Sequence, residues 1–128
     1  MPVINNTRKG FLSAAVTGNK TLTAADSGIV QDVQSDAVIS LPASTAGLTF
    51  TIHVGQSATS GNQPTVTIDP NASDGVTGNG YTATVNKDLI SDKTTNKYGD
   101  LITLRGTGTT GVTGWIVESV IGTWARQA

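Results

Sequence analysis

No cysteine occurs in this chain, so neither a disulfide framework nor thiolate chemistry can contribute to it. Charge is scarce as well. Asp, Glu, Lys and Arg make up 13% of the residues, about half of the ~25% usual in soluble domains. Eight basic residues against nine acidic ones leave a formal net charge of -1. That balance gives no electrostatic footprint for nucleic acid, whose affinity grows with the number of phosphates neutralised. Low charge also argues against a solvated, disordered chain. Aromatic residues amount to 5%, a thin supply for a sugar-stacking platform. No apolar run approaches the ~20 residues that a membrane-spanning helix needs. The start, Met1-Pro2-Val3-Ile4-Asn5-Asn6-Thr7-Arg8-Lys9-Gly10, places its charges after the apolar pair, unlike a signal peptide. Helical periodicity is almost missing too: 87–96 has room for one turn or a loop, and 13–16 is too short to assign.

What the chain has is threonine, its commonest residue, and 15 glycines. At 128 residues it has the length of one domain with one core. The dominant period is two. In Leu48-Thr49-Phe50-Thr51-Ile52-His53-Val54 the apolar residues share one face, and Thr49, Thr51 and His53 share the other. This is a half-buried strand, with β-branched threonine suited to its wet side. Similar alternation covers 36–41, 65–69, 99–105 and 115–120, and more weakly 20–23, 28–33 and 81–86. Turn signals separate these runs: Asp26-Ser27-Gly28, Pro42, Gly55, Asp69-Pro70-Asn71, and Asn79-Gly80, a type I′ hairpin dipeptide. Many short strands at short intervals predict an all-β fold, an antiparallel sandwich or jelly-roll-like barrel. No internal repeat is visible. Residues 1–10 lack alternation and read as an N-terminal arm on a single domain of residues 11–128.

Motifs with chemical content are few. Gly106-Thr107-Gly108-Thr109-Thr110-Gly111 matches the dinucleotide fingerprint G-x-G-x-x-G, but Trp115 soon opens another strand where that site needs a helix. It reads as a hairpin loop. Asp69 to Gly75 alternates oxygen-bearing side chains as a calcium loop does, yet its sixth and twelfth places hold Asp74 and Gly80 instead of Gly and Glu. It reads as a turn. His53 is the single histidine. It sits on a polar strand face without a G-x-S-x-G elbow in the chain, so a surface role is expected over general-base work. One histidine without cysteine also makes a poor zinc site. No catalytic, cofactor or metal residue is assigned. Arg8 and Lys9, the one adjacent basic pair, suit an anchoring arm. Trp115 belongs to the core or its edge. Trp124 is either a plug closing the domain or a partner anchor. Because Trp and Arg are enriched at interface hot spots, Trp124 and Arg126 join Arg8 and Lys9 as candidate partner-binding residues.

Two blocks carry a family resemblance. The first is Leu22-Thr23-Ala24-Ala25-Asp26-Ser27-Gly28, with Leu41-Pro42 and then Gly47-Leu48-Thr49-Phe50 following it. The second is Gly99-Asp100-Leu101-Ile102-Thr103-Leu104, then Gly114-Trp115-Ile116-Val117 and Gly122-Thr123-Trp124. In these the chain resembles small β-rich structural proteins of tailed-phage virions, most of all capsid decoration (cement) proteins. The resemblance implies a non-enzymatic protein, made in the host cytoplasm, that binds the outer capsid as a homotrimer and stabilises the head. Its partner would be the major capsid protein, with no cofactor, nucleic acid or membrane. Other readings are a tail-fibre or baseplate module, a carbohydrate-binding module, and a small hydrolase built around His53.

Overall fold

The structure, a computed structural model, describes residues 13–56, 62–81 and 84–128. The chain forms β1 (Ser13–Val16), β2 (Lys20–Thr21), β3 (Val30–Val33), β4 (Ala37–Ser40), β5 (Thr49–Val54) and β6 (Val66–Asp69). There follow β7 (Val76–Thr77), β8 (Leu89–Ser91), β9 (Leu101–Gly106), β10 (Trp115–Ile121) and β11 (Ala125–Arg126). Among the described residues the one helical piece is a 3-10 turn, Ala24–Asp26. The fold is all-β, as the period-two patterning requires.

The pairing departs from the antiparallel arrangement that the sequence suggested. Sheet A runs β1-β3-β5-β9-β10-β7 and sheet B runs β11-β8-β6-β4-β2. From β1 to β8 each strand lies in the opposite sheet from its predecessor. Strands β1, β3 and β5 therefore return to sheet A in the same direction and pair in parallel. Strands β2, β4 and β6 do the same in sheet B. The chain winds through the two sheets like a short solenoid. Antiparallel pairing enters only where later strands close each sheet: β5 with β9 and β9 with β10 in sheet A, β6 with β8 and β8 with β11 in sheet B.

Winding stacks like on like. Val16, Val33 and Val54 lie opposite one another on adjacent strands, as do Ile39 and Ile68. All five are buried, and both sheets contribute to one hydrophobic cluster. The alternation read from the sequence is reproduced: Phe50, Ile52 and Val54 face inward, while Thr49, Thr51 and His53 are half-exposed. At the centre, Phe50 and Trp115 are fully buried with ring centroids 5.4 Å apart at a tilt of 37°. Tilted packing of this kind suits the ring quadrupoles.

The loops explain why the motif residues stand where they do. Thr23 and Asp26 form a capping box on the 3-10 turn, with the Thr23 amide donating to Asp26 Oδ2 at 2.9 Å. Ser27 and Gly28 then stitch to β5: the Thr49 amide donates to Ser27 Oγ, and the Gly28 amide donates to the Thr49 carbonyl. Asp100 is buried and lies against Gly122, whose φ of +86° and lack of a Cβ admit the carboxylate. Asn79 and Gly80 both have positive φ between the bridged pair Gly78 and Tyr81, the geometry of the predicted hairpin turn.

Replacing Phe50 by Ala leaves a cavity against Trp115. The variant should lose about 3–5 kcal/mol of unfolding free energy, read as a lowered denaturant midpoint with an unchanged slope.

Candidate functional site

Sheet A, with six strands, is the wider of the two sheets. One row of outward side chains crosses four strands: Asp32, His53, Leu101 and Ile121 are successive register partners. A second row is Val30, Thr51, Thr103 and Ser119. Thr51 and Thr103 share a hydrogen bond at 3.0 Å between their hydroxyls. Ile121 and Tyr98 are among the large apolar side chains left exposed, and Tyr98 meets the His53 ring edge-on at 5.8 Å.

The polar side chains on this outer face hydrogen-bond to one another. His53 Nδ1 lies 2.8 Å from Asp32 Oδ1, and Gln34 Nε2 donates to Asp32 Oδ2 at 2.9 Å. A β-bulge between Val117 and Ser119 turns Glu118 out of register. Its carboxylate accepts from Arg105 Nε at 3.1 Å. Elsewhere Lys20 pairs with Asp26, and Lys93 with Asp36. Lys93 and the Thr65 amide hold the Asp36 carboxyl below its ordinary pKa.

The Asp32–His53 pair supplies the base half of a hydrolytic triad. No hydroxyl bonds the imidazole among the described residues, and the ring instead packs on Tyr98. The histidine is a half-buried member of the surface row.

The glycine-rich loop is occupied from within. Asp74 is buried, and its carboxylate accepts the Ser44 amide at 2.8 Å and the Gly111 amide at 3.2 Å. The Ser44 hydroxyl donates to the Gly114 carbonyl and accepts the Gly108 amide. Two amides that would face a phosphate are therefore used to bind three loops together. The segment from Asp69 to Gly75 spends its oxygens in the same way. Asn71 Oδ1 accepts the Ser73 amide, and Asp74 is turned inward. Among the described residues no group of three or more His, Cys, Asp or Glu is placed to hold a metal ion.

Of the predicted contact residues, Arg8 and Lys9 lie outside the described residues. Trp124 is buried and takes the plug role instead of the anchor role. Its indole N–H donates to the Ile121 carbonyl at 3.2 Å, and the Tyr81 hydroxyl donates to the Trp124 carbonyl at 2.7 Å. Arg126 remains half-exposed on the two-residue edge strand β11. Of the row formed by Asp32, His53, Leu101 and Ile121, with Tyr98 beside it, the sequence points to His53 alone, because the row depends on which strands pair and in which register, and alternation does not specify that. Comparison with protein-family models, curated proteins and solved structures finds no match for the chain.

These polar groups can be tested by stability. Asp74→Ala removes the buried acceptor of the part-buried Ser44 and Gly111 amides and should cost about 1–3 kcal/mol, measured by equilibrium unfolding. At the end of sheet B, Asp88 stands beside Asp69. Burial, together with the charge and hydrogen bond of that neighbour, pushes the Asp88 carboxyl above its ordinary pKa. The folded state then binds this proton more tightly than the unfolded chain does, so the favourable contribution exists at low pH and is lost as pH rises through the folded value. Asp88→Asn should therefore melt higher than the parent at pH 7, with the difference closing as pH falls through the folded pKa towards the ordinary value of 3.8.

Proposed function

We propose that this chain is a non-enzymatic structural protein of a phage virion, one that binds the outside of the capsid through the major capsid protein and stabilises the head. The observation that carries this reading is the outer face of sheet A. It is Thr-bearing and braced by a packed core, Arg105 and Glu118 pair their charges on it, and the Asp32 carboxylate is hydrogen-bonded to His53. A neutral surface of this kind costs less to desolvate than one covered with unpaired Lys and Glu. Tyr98 and Ile121 add exposed apolar area beside it, and Tyr is a residue favoured at interfaces.

The two sequence blocks support the same reading through the resemblance they carry. Assembly proteins need rigidity and a surface made to be covered, and neither requires a cluster of activated groups. The polar clusters that are present have structural work: Asp74 binds loops, Asp100 seats Gly122, and Asp26 caps a turn.

The purified protein is expected to bind undecorated capsids saturably and to raise the temperature at which they release their contents. Tyr98→Ala and Ile121→Ser together should weaken that binding while leaving the fold's melting temperature nearly unchanged. Absence of saturable binding, with no gain in heat resistance, would overturn the proposal.

A further inference from the structure

Among the described residues the two sheets end in four edge strands, and they are not alike. Strands β7 and β11 are two residues long, and β11 carries Arg126. Strand β2 is also two residues long and carries Lys20. Shortness and charge are the ordinary devices by which proteins blunt an edge against pairing. Strand β1 has neither. It runs for four residues, Ser13-Ala14-Ala15-Val16, without charge, proline or a bulky side chain.

Its backbone polarity can be read from its partner. The Gln34 amide donates to the Val16 carbonyl, so Val16 and, two residues earlier, Ala14 direct their main-chain groups towards β3. Ser13 and Ala15 then direct theirs outward, to a side where sheet A has no further strand among the described residues. The core is also less well closed here. Ala14 faces inward but is half-exposed, whereas its register partner Gln31 on β3 is fully buried. A solenoid end left in this state exposes main-chain donors, acceptors and a flank of the core at once.

We propose that β1 is an assembly edge that pairs antiparallel with β1 of a second copy of this chain. Identical edges meet about a two-fold axis, and an uncharged edge meets itself without repulsion. Hydrogen-bonded pairs form between outward residues, so Ser13 faces Ala15 of the second copy and Ala14 faces Ala14. Each hydrogen-bonded pair exchanges two main-chain bonds. Opposite residues share a face, so the two cores meet on the same side, and the small side chains of Ala14 allow close approach. A ring of three copies would need β1 to meet a different edge of its neighbour, and the other edges are the short or charged ones. The two-fold arrangement is therefore favoured over the trimer that the family resemblance implies. The inference is independent of capsid binding.

Light scattering of the full chain across a concentration series tests it. The mass is expected to rise from the 13.1 kDa monomer to the dimer. Ala15→Pro removes an outward amide that β3 does not use, and should weaken the dimer about ten-fold or more while the far-UV spectrum is retained. If that variant fails to fold, Ala15→Lys decides, since it adds charge to the outward edge with the backbone intact. Hydrogen exchange at Ala15 should slow as the dimer forms. A monomer at every concentration would overturn the inference. So would a trimer mass, or folded edge variants that associate like the parent.

Discussion

The return of the chain to the same sheet in the same direction is the constraint on which everything else depends. Once β3 lies parallel to β1, and β5 to β3, each inward side chain stacks on an inward side chain of the next strand. Val16, Val33 and Val54 make one such column. Outward residues are stacked by the same rule, which is how Asp32 and His53 come to be neighbours. The core and the candidate surface are therefore two faces of one register. Slipping a strand by one residue would send Val33 outward and Asp32 into the core, so the hydrophobic cost of a slip protects the surface row as well.

Much of this is legible in the amino-acid sequence. Alternation from 48 to 54 places Phe50, Ile52 and Val54 inside and His53 outside, and burial follows that division. The Asn79-Gly80 turn follows from the positive φ that both positions require. Pairing direction is not legible, because a period of two is the same in parallel and antiparallel strands. The winding is concealed as well. Partners recur from 16 to 33 and then from 33 to 54, and the second spacing is lengthened by the 41–48 loop, so no constant period survives in the sequence. Strands β7 and β11, at two residues each, are too short to show alternation at all. Trp124 fits a plug or an anchor equally well when only its chain neighbours are considered. The Tyr81 hydroxyl on its carbonyl and the burial of its ring identify the plug.

The residues that carry the family resemblance turn out to be builders of the fold. Thr23 and Asp26 cap a turn, Ser27 and Gly28 fasten that turn to β5, and Asp100 occupies the space that Gly122 leaves. Their side chains are spent on their own loops. A motif of this kind can persist wherever the winding persists, whatever surface is built upon it. Residues free of these duties lie on the outer face of sheet A and along its edges.

Local neutralisation connects that surface to the composition. A chain with 13% charged residues could still present an ionic face if its charges were unpaired and gathered. Among the described residues three pairs match opposite charges, Lys20 with Asp26, Lys93 with Asp36 and Arg105 with Glu118, and Asp32 is hydrogen-bonded to His53. Exposed pairs of this sort contribute little to stability, about 0–1 kcal/mol each. Their larger effect is on the field above the surface, which they cancel at short range. A partner then meets hydroxyls, methyl groups and main-chain edges instead of a field of one sign. Recognition of such a surface would depend on shape more than on charge, and its shape is set by the register beneath it.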